Sequence, residues 1–307
     1  AFGRLARFLR TADACGIRYF EHCHLFSQWG AKNAPAVYDT DGRLLFGWQT
    51  VAAGEEYRAF LRAYLTSLLE FSREAGYEDS RWVFHLSDEP VAKDLSRYES
   101  ARRTVADLLE GFEIADALSD MAFYRRGLVG TPVACIDRAE EFFAECSRFW
   151  LYYTGTPELP NCTNRLISNT PARTRVLGVQ MYRYRAAGFL HWGYNYYYDR
   201  LSSGFFDPRL DPCGYKLIPG CSYLAYPTRD GAAPSVREKY MAEAFDDLRA
   251  LLLSETLVGR ERTLVLCEEV LGQIDCHTVP SGNAMYTLRE HINRKIGDAI
   301  ERKKNAP

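Results

Sequence analysis

Two adjacent carboxylates, Asp88 and Glu89, close the stretch Trp82-Val-Phe-His-Leu-Ser-Asp-Glu-Pro90. The run from Trp82 to Leu86 is aromatic and branched, which predicts a buried strand. Pro90 cannot continue it and pre-sets the following turn. In an α/β protein the carboxyl end of a parallel strand is where loops bring side chains into a common mouth. An acid beside a carboxylate is the equipment that cleaves a glycosidic bond. Acids followed by proline also favour a helix start, so Asp88-Glu89-Pro90 read alone fits a cap equally well.

Other reactive groups are less pointed. His22-Cys23-His24 has metal-binding residue types, but strand alternation would send neighbours to opposite faces. The nine cysteines are odd in number and lack the short paired spacing of zinc sites, so the sequence calls for no metal and no cofactor. They read as buried thiols in a reducing cytoplasm, with a processed secreted form as the alternative. Asn161-Cys162-Thr163 is a glycosylation triplet of a kind common by chance. Tyrosine is abundant at 20 copies, clustered in Phe149-Trp-Leu-Tyr-Tyr153 and Trp192-Gly-Tyr-Asn-Tyr-Tyr-Tyr198. Such clusters suit sugar rings as well as protein interiors.

The elements that would position these groups alternate along the chain. Helical periodicity covers 3–14, closed by Gly16, and Ile17 to Cys23 reads as a strand. A long connection with Trp29-Gly30, Pro35 and Asp39-Thr-Asp-Gly42 follows. Glu55 to Ala75 is amphipathic, with Tyr57, Leu61, Leu65 and Leu68 on one face. After the 82–87 strand comes a helix near 93–110. Short apolar runs then fall at 112–115, 131–135, 149–153, 188–192 and 222–226, with helices at 137–147 and 171–186. Ser235 and Glu238 form a capping box opening a helix to about 254, and two more helices end the chain.

Strands alternating with helices predict a parallel sheet. Seven strands are counted where a closed (β/α)8 TIM barrel needs eight. The expected fold is therefore that barrel, incomplete or with its first strand upstream of Ala1. Residues 1–255 form the catalytic domain in this reading, and 256–307 a helical extension packed on it. The chain of 307 residues is 47% hydrophobic and 25% charged, with a net charge of -2, which gives no reason to expect nucleic acid. No apolar stretch is long enough for a membrane span. Oligomeric state is not legible.

The ordered set of motifs resembles the catalytic domain of glycoside hydrolase family 123, the DUF4091 group. The residues carrying the resemblance are Ile17 through Trp29-Gly30-Ala31, the Asp88-Glu89-Pro90 strand end, Phe149 to Thr154 with Gly188 to Tyr196, and Tyr223-Leu-Ala-Tyr-Pro227 leading to Pro234-Ser-Val-Arg237. One departure is Ala244-Phe-Asp-Asp-Leu248, which keeps only Asp247 of the family's Gly-Ile-Glu-Asp-Tyr.

The resemblance implies a carbohydrate substrate, a glycan or glycolipid end. It further implies release of terminal β-linked N-acetylgalactosamine with retention, the substrate's own acetamido oxygen acting as nucleophile. Glu89 then matches the general acid/base, and Asp88 the residue orienting the acetamide N–H. Trp192 is the candidate floor under the sugar, and Tyr153 the candidate donor to the acetamide oxygen. Asn195, Tyr194, His24 and Trp29 are candidate hydroxyl contacts; core or loop packing is the alternative for each. A different sugar on the same barrel, or a silent carbohydrate-binding protein, are the competing readings. His85 reads as a satisfied core residue, and Arg237 with Asp247 as a structural ion pair.

Overall fold

The computed structural model describes residues 2–155, 162–199, 202, 204–214 and 217–305. Asn161 of the glycosylation triplet lies outside them. The chain is α/β and divides into two compact units, Ala1–Ala134 and Cys135–Pro307.

In the first unit the order is α1 (Gly3–Ala14), β1 (Phe20–Glu21), β2 (Val37–Tyr38), β3 (Leu44–Phe46), α2 (Glu55–Glu74), β4 (Trp82–Phe84), α3 (Leu95–Val105), β5 (Glu113–Leu118), α4 (Ala122–Arg125) and, at the boundary, β6 (Thr131–Cys135). β1 pairs parallel with β4, β4 with β5, and β5 with β6. β2 and β3 form a small antiparallel pair in the connection after β1. α2 forms where the sequence predicts: Tyr57, Leu61, Leu65, Leu68 and Leu69 are buried, and Glu55 and Glu56 sit at its positive end. Gly76, at φ 84°, supplies the left-handed residue that ends it. Every residue of β4 is buried, as expected of a strand covered on both faces. Trp82 anchors the start of β4 by donating its indole N–H to Ser72 on α2 at 2.8 Å.

The second unit runs α5 (Ala139–Glu145), β7 (Trp150–Tyr152), α6 (Pro171–Arg175), α7 (Leu177–Arg183), β8 (Gly188–Leu190), β9 (Ala225–Thr228), β10 (Gly231–Pro234), α8 (Val236–Val258), α9 (Arg260–Leu271) and α10 (Gly282–Lys304). β7 and β8 are parallel, with Tyr152 opposite Leu190. Its helical core gathers Val176, Tyr182, Leu251, Leu266, Leu288 and Ile292. α8 opens on Ser235, whose hydroxyl accepts from the Glu238 N–H, so this predicted cap forms.

Among the described residues six parallel strands form, where the sequence predicts seven. The apolar run 222–226 is the exception. The strand there is β9, and it turns back on β10 as an antiparallel hairpin, with Tyr226 opposite Ala233. The predicted Arg237–Asp247 pair does not form either. Both residues lie on α8, ten positions apart, and a helix separates such residues by roughly 15 Å. Asp247 instead accepts from Arg175 Nε at 2.6 Å and from Arg289, while Arg237 donates to the carbonyls of Arg165 and Gly220. All nine cysteines are free thiols, but only Cys162, Cys221, Cys267 and Cys276 are buried; Cys15 and Cys23 are exposed. Among the described residues no helix is long and apolar enough to cross a membrane.

Candidate active site

β4 ends at Phe84, and the backbone leaves the sheet over the next four residues to present Asp88 and Glu89. Both are half-buried, and Pro90 behind them is buried. Glu89 has φ 42°, a left-handed conformation that a residue with a Cβ rarely adopts. Trp29 and Ala31, at φ 57° and 54°, share it in the facing loop. Three of the five such non-glycine residues among those described therefore meet at one strand end, a clustering typical of functional sites.

Hydrogen bonds hold this geometry. The Asp88 carbonyl accepts from the Trp29 N–H at 2.8 Å, and its carboxylate accepts from the Gln28 amide at 3.2 Å. Ser87 Oγ accepts from the N–H groups of Gly30 and Ala31 and donates to the Ser27 carbonyl at 2.8 Å. Gly30 is required: at φ 99°, a Cβ there would sit 2.4 Å from Asp94 Cγ. Burial pushes the Asp88 carboxyl above the usual carboxylate range; the charge of His24 opposes this, and those of Glu89 and Asp116 add to it.

Behind the acids lies a polar group in an apolar setting. His85 is buried, its Nε2 2.7 Å from Glu21 and its Nδ1 3.4 Å from Asp116. Burial alone would lower its pKa, but the two carboxylates outweigh that and raise it to about 10. The sequence predicts a satisfied core histidine; His85 is in the core and held as an imidazolium facing two carboxylates, but neither ring nitrogen makes an aligned hydrogen bond. His24 packs edge-on to it, ring centres 5.4 Å apart. The donor atoms of His24, His85 and Asp116 lie within 4.8 Å of one another, the spacing of a metal site. Both nitrogens of His85 are turned to carboxylates, so a metal ion there would have to compete with the ring's proton and with Glu21.

His22-Cys23-His24 lies just past β1, outside the strand, and all three residues line one cleft. His22 is buried, with Nε2 2.9 Å from the Tyr64 hydroxyl, and the Cys23 side chain is exposed. A cleft of about 880 Å³ is lined by His24, Gln28, Trp29, Trp48, Phe60 and Tyr64 among others; Asp88 and Glu89 do not line it but adjoin it through Gln28 and Trp29. Its size is that of a small-molecule site. Gln28 and His24 join cleft to acids, one by its bond to Asp88 and the other by its charge. The first unit therefore brings together Asp88, Glu89, His24 and Trp29. Trp29 is 68% exposed, an indole face open to solvent.

The remaining candidates belong to the second unit. Tyr153 follows β7, and His191-Trp192 follows β8, so both sit at carboxyl ends of parallel strands. Trp192 is half-exposed and is flanked edge-on by Tyr196 at 5.3 Å. His191 stacks on Trp192 and meets Tyr153 edge-on. Its Nδ1 accepts from Arg165 at 2.7 Å, and burial and that guanidinium hold the imidazole neutral. Tyr153 itself is fully buried, and its hydroxyl donates to the Met241 sulfur at 3.5 Å. This is the packing alternative: a sugar would have to displace that contact to reach it. Tyr194 and Asn195 are exposed, and the Asn195 backbone bridges to Tyr223.

Sequence reasoning missed Asp116, Ser87 and Gln28. Asp116 did carry a signal, as the one charged residue inside the apolar part of Glu113-Ile-Ala-Asp-Ala-Leu118. Ser87 and Gln28 carried none, because a serine before an acid and a loop glutamine are unremarked in any chain.

Parallel α/β architecture with paired carboxylates at a strand end is the arrangement found where glycosidic bonds are cut. The glycoside hydrolase 123 catalytic domain matches residues 1–254, and the chain belongs to that family. A solved family 123 glycoside hydrolase from Clostridium perfringens, analysed for glycolipid glycan hydrolysis, is similar at a TM-score of 0.55 and 15% identity. That likeness covers 85% of this chain and 47% of the other, so this chain spans about half the length of that relative and shares its fold. No curated protein matches the chain.

Proposed function

We propose that the chain is the catalytic part of a retaining glycosidase that removes terminal β-linked N-acetylgalactosamine from a glycan or glycolipid end by substrate assistance. In this reading the six parallel strands belong to a (β/α)8 barrel. The acetamido oxygen of the bound sugar attacks the anomeric carbon as Glu89 gives its proton to the bridging oxygen. The glycosidic bond breaks, the aglycone leaves as an alcohol, and a cyclic oxazolinium ion remains. Asp88 holds the acetamide N–H and faces the developing positive charge. Glu89, now ionised, takes a proton from water, which opens the ring from the same face and returns the β-anomer. His24 and Trp29 serve as hydroxyl contacts beside the acids.

The observation that carries the reading is the strained turn at Glu89, which sets two successive carboxylates at the mouth of a strand beside an aromatic cleft. Family membership supports the reaction class, and the glycolipid work on the Clostridium perfringens relative supports the substrate class. The test compares an aryl β-N-acetylgalactosaminide with the plain aryl β-galactoside and with the gluco epimer. Turnover restricted to 2-acetamido sugars, with the β-anomer as first product, is expected. Equal cleavage of the plain galactoside would refute acetamide assistance and leave a barrel glycosidase of another specificity. Glu89→Gln should lower kcat about 10²–10⁴-fold while ligand still binds. A chain that binds the sugars but turns none over is a carbohydrate-binding protein.

A further inference from the structure

Asp116 is fully buried in the middle of β5, among isoleucine, alanine and leucine. A carboxylate in such a place is costly unless its oxygens are met by donors. They are met here by four groups from a short stretch of structure. The Leu86 N–H lies 3.0 and 3.2 Å from the two oxygens, and the Ser87 N–H lies 3.4 Å from one. The Tyr98 hydroxyl on α3 donates to the same oxygen, and His85 Nδ1 faces the other at 3.4 Å.

The pairing of β4 with β5 runs through Val83 opposite Glu113 and Phe84 opposite Ile114. Past Phe84 a side chain takes over from the sheet: the Asp116 carboxylate accepts the backbone donors of the two residues immediately before Asp88. Ser87, held in this way, holds the loop in turn, since its hydroxyl accepts from Gly30 and Ala31. One buried charge thereby sets where β4 leaves the sheet, where the acids point and where the facing loop lies.

We propose that Asp116 is a positioning residue for the Asp88–Glu89 pair, acting through the N–H groups of Leu86 and Ser87 and braced by Tyr98 and His85. It does not touch the sugar. The role rests on the glycosidase reading, and its effect falls on the transition state, because displacing reacting groups by about 1 Å can cost on the order of 10²-fold in rate.

The test uses the full chain and the aryl 2-acetamido glycoside that the wild type cleaves. Asp116→Leu keeps the branched outline of the side chain, though bulkier, and removes every acceptor; Asp116→Asn keeps one. Because the leucine variant leaves the donors of Leu86, Ser87, Tyr98 and His85 without their acceptor, its fold is checked first by circular dichroism and thermal unfolding. Its kcat should fall about 10²-fold with KM changed less than about threefold, and the asparagine variant should recover part of the loss. Tyr98→Phe, which removes one brace, should lower kcat several-fold with KM unchanged and serves where Asp116→Leu fails to fold. A folded leucine variant as fast as wild type overturns the role, as do asparagine and phenylalanine variants with unaltered kcat. A wild type without turnover on any glycoside removes the glycosidase reading, and this role with it.

Discussion

Replacing His85 with glutamine should make the pH dependence of stability visible at a single residue. The imidazolium lies between Glu21 and Asp116, and its pKa stands at about 10 against an unfolded value near 6.5. A group whose pKa is raised on folding contributes fully below the unfolded value and loses that contribution as pH climbs through the folded one. At about 1.4 kcal/mol per pH unit across that window, the protonated ring contributes on the order of 5 kcal/mol near pH 6. Burial would raise the Glu21 carboxyl, but the same interaction with His85, aided by His24, holds it below the usual carboxylate range, so the two shifts overlap and are not added. Urea unfolding of wild type and His85→Gln under reductant, from about pH 6 to about pH 10, gives the difference between the two stabilities. That gap should be largest at the acid end and shrink by several kcal/mol towards the alkaline end. Isotope-labelled histidine should show the ring protonated well above neutrality. Parallel stability curves, or a ring that titrates near 6.5, would refute the reasoning.

Other outcomes follow from single contacts. Gly30→Ala forces a Cβ into the buried Asp94 at a backbone angle alanine resists, and should cost about 2–4 kcal/mol in denaturant unfolding. A loss under about 0.5 kcal/mol would mean the loop simply relaxes. Asp247→Ala leaves the Arg175 and Arg289 guanidiniums without their shared carboxylate and should cost roughly 3–5 kcal/mol. Calorimetric curves that overlay wild type would disprove that. Tyr153→Phe loses only a bond to sulfur, so stability should change by less than about 1 kcal/mol and turnover should hold. A drop in kcat/KM beyond about tenfold would restore Tyr153 as a sugar contact.

Much of the scaffold was legible because periodicity reports burial. The stripe from Tyr57 to Leu69 could only be a helix covering a core, and Trp82 to Phe84 could only be a covered strand. The acids were legible because a strand, two carboxylates and a proline in succession leave few places in a fold for them to be. The run 222–226 misled because buried apolar residues look alike in parallel strands and in hairpins. The turn Arg229-Asp230, with Gly231 opening the return strand, was the overlooked sign of the second. Asp247 is satisfied from α6 and α10, partners that periodicity on α8 cannot name. The charge on His85 was illegible for a related reason: it depends on Glu21 and Asp116, which are distant in sequence and adjacent only after folding.

The hydroxyl of Ser87 grips two consecutive amides of the loop at Trp29 while its own backbone runs straight into Asp88. Loop and acids are therefore one mechanical part: a shift of the indole at 29 must drag the carboxylates with it. Any tuning of the cleft's shape has its free play at Tyr38 and Trp48, lining residues that lie outside the loop bound to Ser87.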